Sequence, residues 1–265
     1  ERFDSTIGAG TVIMPFGGRY QKTPSQIMAA LIPDEHRRAK TASLFSFGFD
    51  PDYTEADPFG GAYNAVFTSV AKLVAAGSSR KNCCLSLQEF FGRAGRNPER
   101  WGRVLAALLG ALRAQLDLET AAIGGKDSMS GTFEDLNVPN TLVSFAINTL
   151  DADRIITNDM KKAGSFVYLV RQEAQESPAA FLDRVEALLK ETKALSACYV
   201  EHRRPDAAIA RMCFGSMIGF QPLSDLSFCR EHAFIIETET ETDKAVLAGV
   251  TADSGCFGAF TLDEL

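Results

Sequence analysis

A mixed α and β fold is predicted by three features of this 265-residue chain. Short segments alternate in polarity at a period of two, longer ones repeat apolar residues every three or four positions, and the two kinds interleave along the sequence. Thr11–Phe16 (TVIMPF), closed by Gly17-Gly18, and Thr41–Phe49 (TASLFSFGF) read as strands. In Gly61–Ala76, Val66, Val70, Leu73 and Val74 share one face and Gly77 supplies a C-cap, which predicts a helix. Cys83–Leu87 (CCLSL) reads as a strand. A second helix starts at Asn97-Pro98, with Asn as cap and Pro at the first helical position, and runs to about Leu118. Its broad apolar coverage predicts that it is largely buried. Thr141–Leu150 is a further strand after the Pro139-Asn140 turn.

The polar stretch Asp151–Gly164 predicts a boundary, dividing the chain into domains 1–155 and 156–265. The second domain is expected to run strand (Ser165–Val170), helix (Pro178–Thr192), strand (Ala197–Val200), helix (Pro205–Phe214) and strands near Ala233–Glu237 and Ala245–Val250. No internal repeat or low-complexity segment interrupts this order.

Composition narrows the function. A net charge of −7 argues against a chain built to neutralise a phosphate backbone, so small-molecule or protein partners fit better than nucleic acid. The short basic runs Glu35–Lys40 and His202–Arg204 read as solvated helix ends or loops. None of the six cysteines stands in a C-x-x-C pair, and with three histidines the chain offers few ligands for a structural metal cluster. Reduced, mostly buried thiols are expected. No leader pattern and no run of about 18 apolar residues is found, which points to a cytoplasmic chain without a membrane partner. The opening Glu1-Arg2-Phe3-Asp4, without an initiator Met, reads as the start of an excised piece.

The segment Thr120–Gly131 (TAAIGGKDSMSG) gathers a double glycine, a lysine, an aspartate and two serines. Glycines let backbone N–H groups approach an anion, a lysine supplies a point charge, and an aspartate can hold Mg²⁺ or accept a proton. The set suits phosphate handling, although a plain polar turn would look the same. It is not a Walker A loop, which would need Gly at Thr120 and Ser or Thr at Asp127. The dinucleotide fingerprint also fails, because Gly8-Ala9-Gly10 is followed by Ile13 at the position that requires glycine.

GGKDSMSGTFEDL at Gly124–Leu136, the following PNTLVSFA, the opening RFDSTIGAGTVIMPFGGRYQ and the stretch GGAYNAVFTSVAKLVAAG together resemble the large, clostridial-type phosphoribosylformylglycinamidine synthases. The likeness continues more loosely through ARMCFGSMIGF to FTLDEL. It implies an aminoimidazole ribonucleotide synthetase-like fold: an N-terminal sheet-and-helix domain that pairs into a barrel, then a C-terminal α/β domain. The chain looks like the second half of the synthetase core, without the glutaminase. The implied reaction uses ATP and Mg²⁺ to phosphorylate the amide oxygen of formylglycinamide ribonucleotide, after which glutamine-derived ammonia displaces phosphate. This is carbon–nitrogen ligation in purine biosynthesis.

Carried over residue by residue, the resemblance nominates Gly125, Lys126, Asp127 and Ser128 for substrate or nucleotide, with Asp4, Ser5 and Thr6 next. Lys126 would meet a phosphate, and Asp127 a metal or a substrate donor. No residue is nominated as catalytic. Ser130 and Thr132 read as turn closers. The helix at Ala62–Ala76 lacks the Mg²⁺-binding carboxylates of enterobacterial-type members, with Thr68 and Lys72 on that face, and the loop Tyr199–Ala208 lacks the family's glycine-rich segment. The implied partners are the other synthetase half and the glutaminase domain, or a second copy through the first domain. An isolated half is expected to be incomplete. The alternatives are a degenerate supporting half and a separate ATP-dependent relative of this fold.

Overall fold

The computed structural model describes residues 10–33 and 39–263. In chain order the first strands are β1 (Thr11–Ile13), β2 (Phe16–Gly17), β3 (Thr23–Pro24), β4 (Met28–Leu31) and β5 (Thr41–Gly48). Helices α1 (Pro51–Ala56) and α2 (Pro58–Ala75), strand β6 (Cys84–Phe90) and helix α3 (Pro98–Leu118) follow. Then come β7 (Ala121–Ser128), β8 (Thr132–Phe133), β9 (Leu136–Asn137), β10 (Thr141–Asp151), β11 (Phe166–Arg171), α4 (Pro178–Glu191), β12 (Ser196–Tyr199) and α5 (Pro205–Phe214). The chain closes with β13 (Gly219–Pro222), β14 (Ala233–Thr238), β15 (Val246–Ala252), β16 (Cys256–Phe257) and β17 (Phe260–Thr261). Contacts group the chain into two compact units, residues 1–44, 74–78 and 149–265 in one and 45–73 and 79–148 in the other.

In the unit of residues 45–73 and 79–148 the strand order is β5-β10-β6-β7, with β10 antiparallel and β7 parallel to β6. Ala62, Val66, Phe67 and Val70 of α2, Leu85 of β6 and Leu142 of β10 are wholly buried in its core. Buried hydroxyls cross-link the layers: Ser46 Oγ donates to the Ser69 carbonyl at 2.6 Å, and the Ser69 and Ser144 hydroxyls meet at 2.9 Å.

Helix α3 begins as the sequence predicts, with the Asn97 side chain accepting from the Glu99 and Arg100 N–H groups. Its burial differs from expectation. The stripe Val104, Ala107, Ala111, Ala114, Leu118 is buried, while Trp101, Leu105, Leu108, Leu112 and Leu116 are 44–65% exposed. Small residues occupy the inner face because the backbone comes close there: a Cβ at Gly110 would lie 2.1 Å from the Phe59 carbonyl oxygen. The bulky apolar residues are therefore left on the outer face.

In the other unit, β1 pairs with β4 and a seven-stranded sheet runs β12-β14-β11-β15-β13-β16-β17. Val167, Leu169, Ile209, Met212, Phe220 and Ile235 form its core. Glu237 on β14 is wholly buried and accepts from the backbone N–H groups of Lys161 and Lys162 (2.9 and 3.1 Å) and from the Ser165 and Ser196 hydroxyls (both 2.7 Å). Asn158, Asp159 and Met160, inside the stretch the sequence reads as a boundary, are buried as well. All six cysteines are free, and burial pushes the Cys83 and Cys213 thiols up to about 12.

Candidate functional site

The motif at Gly124–Ser128 is a strand, not a turn or glycine loop. It forms the end of β7, in parallel register with β6: Leu87 faces Gly125, Gln88 Lys126, Glu89 Asp127, and Phe90 Ser128. Glycine is a poor strand former, so the ladder with β6 imposes this conformation. The register steps from Leu85–Ala122 to Ser86–Gly124, which leaves Ile123 as the extra residue of a bulge. At Gly125 a Cβ would lie 2.7 Å from the Leu87 carbonyl oxygen, so only glycine allows the strands this approach. Because β7 ends the strand order, Gly125, Lys126 and Asp127 are exposed and Ser128 is half-buried.

Both strands run to their C-terminal ends at Phe90 and Ser128, where the Phe91 N–H bonds the Ser128 carbonyl at 2.8 Å. The β8–β9 hairpin follows. Thr132 is spent on it, accepting from the Arg93 N–H and donating to Asn137 Oδ1, both at 2.8 Å, which fits the turn-closing role read from the sequence.

Opposite Asp127 stands Glu89, a residue the sequence reading passed over. It shares the inward face of β6 with Leu85 and is only 2% exposed, and neither carboxylate oxygen has a hydrogen-bond partner among the described residues. Burial first, and then the hydrogen-bonding and charge of Asp127, raise its pKa to about 7. Two ionised carboxylates cannot donate to each other, so the unpartnered oxygens and the raised pKa describe one condition: burial beside Asp127 favours the protonated form of Glu89. The signal was present in the sequence as a carboxylate at an inward position of an otherwise apolar alternation, Leu85, Leu87, Glu89.

Beyond the end of β6, a groove of about 330 Å³ is lined by Gly92, Asn97, Arg100, Arg103, Glu55 and Asn140 among others. Its arginines are engaged. Arg103 pairs with the Glu55 carboxylate at 3.0 Å, and Arg100 donates to the Arg93 carbonyl at 2.6 Å. The groove wall thus holds one internal ion pair and one arginine bound to a backbone carbonyl, and the lysine exposed at the motif is Lys126.

Asp4, Ser5 and Thr6 lie outside the described residues. Thr68 and Lys72 do not present an open face: both are buried, and Lys72 Nζ donates to the Phe47 carbonyl at 3.0 Å over the Phe47 ring. In the 199–208 loop, Arg204 forks onto Asp206 at 2.9 and 2.7 Å, while Tyr199 is buried and its hydroxyl meets His232 Nδ1 at 2.8 Å. Among the described residues, no group of three or more His, Cys, Asp or Glu could hold a metal ion, and no helix is long and apolar enough to cross a membrane.

No protein-family model matches the chain, and no curated protein matches it in sequence. Solved structures do match. PurLQS from Thermotoga maritima superposes with a TM-score of 0.69 at 15% identity, over 95% of this chain and 40% of that one. T. maritima PurL complexed with AMPPCP gives 0.66 at 14%, over 93% and 39%. ThiL from Aquifex aeolicus, a thiamine monophosphate kinase, complexed with AMPPCP and TMP, gives 0.59 at 14%, over 87% and 86%. The fold is that of PurL and ThiL. This is the aminoimidazole ribonucleotide synthetase-like fold that the sequence resemblance implied, and the chain spans about two fifths of the PurL chains it matches.

Proposed function

We propose that this chain is one half of an ATP-dependent synthetase core of the phosphoribosylformylglycinamidine synthase kind, acting in purine biosynthesis. The observation that carries the reading is the exposed run Gly125–Ser128, which presents a lysine and an aspartate at the carboxyl end of a parallel strand pair. The likeness to PurL structures solved with AMPPCP and with FGAR supports it at the level of fold. On this reading Lys126 holds a nucleotide phosphate as a point charge, the glycine backbone lets that phosphate approach the strand, and Ser128 donates a hydrogen bond. Asp127 is the residue placed to hold Mg²⁺, which when bound neutralises phosphate charge during phosphoryl transfer.

The partner is the rest of the same synthetase. The outer face of α3, with Trp101, Leu105, Leu112 and Leu116 exposed, supports a chain that is covered in its full setting, and pairing of first domains would complete the barrel. A second reading, a supporting half that no longer binds nucleotide, is favoured by α2, which carries no Asp or Glu and whose Lys72 is committed to β5.

Calorimetry of the chain with AMPPCP and Mg²⁺, and separately with formylglycinamide ribonucleotide, decides between them. The proposal predicts binding, with Lys126→Ala weakening the nucleotide at least about tenfold, the scale of one lost charge-assisted phosphate contact. Silence toward both ligands would overturn ligand binding by this chain on its own.

A further inference from the structure

We propose that Glu89 and Asp127 together ligate a divalent oxygen-seeking cation, Mg²⁺ or Mn²⁺, at the edge of the β6–β7 ladder. Register places the two carboxyl groups opposite each other. Glu89 is buried to 2% exposure with both oxygens unpartnered, and Asp127 opens the same spot to solvent. A buried carboxylate with no donor is costly to maintain, and structures relieve that cost with a paired cation. No ion pair to Glu89 is found among the described residues. The nearby lysines point elsewhere: Lys126 alternates to the other face of β7, and Lys72 donates to the Phe47 carbonyl.

An all-carboxylate donor pair, without His or Cys, selects a hard cation. Two protein ligands do not make a closed cage, which agrees with the lack of any group of three metal-ligating side chains. Mg²⁺ is characteristically held by one or two carboxylates, with waters and substrate phosphates completing its shell. The site is thus open on its Asp127 side to waters and to the oxygens of an anionic ligand.

The inference shares Asp127 with the function proposed above and is tested without nucleotide, so that the two can fail separately. Mn²⁺ is titrated into the whole chain, stripped of metal with EDTA, and free Mn²⁺ is followed by electron paramagnetic resonance. One Mn²⁺ per chain is expected, and Glu89→Gln and Asp127→Asn should each weaken it at least about tenfold, with the double variant little worse than either because they share one ion. Circular dichroism confirms the fold of each variant, and the exposed Asp127→Asn carries the test if Glu89→Gln does not fold. A wild-type chain that binds no Mn²⁺, or folded variants that bind it as tightly as wild type, would overturn the cation site and leave the nucleotide reading standing.

Discussion

Glu237→Ala is expected to lower the unfolding free energy by about 4 kcal/mol, because it removes the acceptor for several buried donors at once. Two backbone N–H groups, at Lys161 and Lys162, and two hydroxyls, at Ser165 and Ser196, converge on this carboxylate. The two hydroxyls are shut off from water, since Ser165 and Ser196 are buried with the wholly buried Glu237. Glu237→Gln keeps one acceptor oxygen but aims an NH₂ group at donors, so about half the loss should remain. Urea denaturation of the two variants measures this. A loss under about 1 kcal/mol for the alanine variant would mean that the network relaxes around water, as in exposed hydrogen bonds.

Glu89→Gln acts in the opposite direction above neutrality. The folded chain holds the Glu89 proton up to about pH 7, whereas an unfolded glutamate releases it near 4.5. Between those values the native state binds more protons, so stability is fully present below about 4.5 and is lost as pH rises through 7. The loss amounts to about 3 kcal/mol, from 1.36 kcal/mol per unit. At pH 8 in EDTA, Glu89→Gln should therefore be more stable than wild type by about that amount, and at pH 4.5 nearly equal to it. His232 works the other way: burial, reinforced by the Arg203 charge, lowers its pKa to about 3, so it destabilises the folded chain as pH falls below 6.5. Taking the difference between variant and wild type cancels that contribution. Thermal unfolding at the two pH values is the measurement, and a pH-independent difference would show that Glu89 is not protonated in the fold.

What the sequence revealed depended on whether a signal was local. The Asn97 cap, the Pro98 start and the Gly77 stop of the two long helices are properties of a few adjacent residues, and they stand where expected. The burial of α3 could not be read that way. Its leucines pattern like a core helix, yet the alanine and glycine stripe faces inward because the backbone at Phe59 comes too close for anything larger. Gly124 and Gly125 resemble a turn in isolation and become a strand through pairing with β6, a partner about 40 residues earlier in the chain. That same pairing extends β6 to Phe90, beyond the predicted Cys83–Leu87, and brings Glu89 opposite Asp127. The site was thus half visible: Lys126 and Asp127 came from the motif, while Glu89 emerged only when the register was known.

Backbone hydrogen exchange with and without AMPPCP and Mg²⁺ tests most directly whether the nucleotide sits on β7. Edge-strand amides with few cross-strand partners exchange readily, so a phosphate accepting from them should slow them several-fold. The account predicts protection centred on Gly124–Ser128, lost in Lys126→Ala. Bound nucleotide that protects other segments and leaves Gly124–Ser128 unchanged would contradict it.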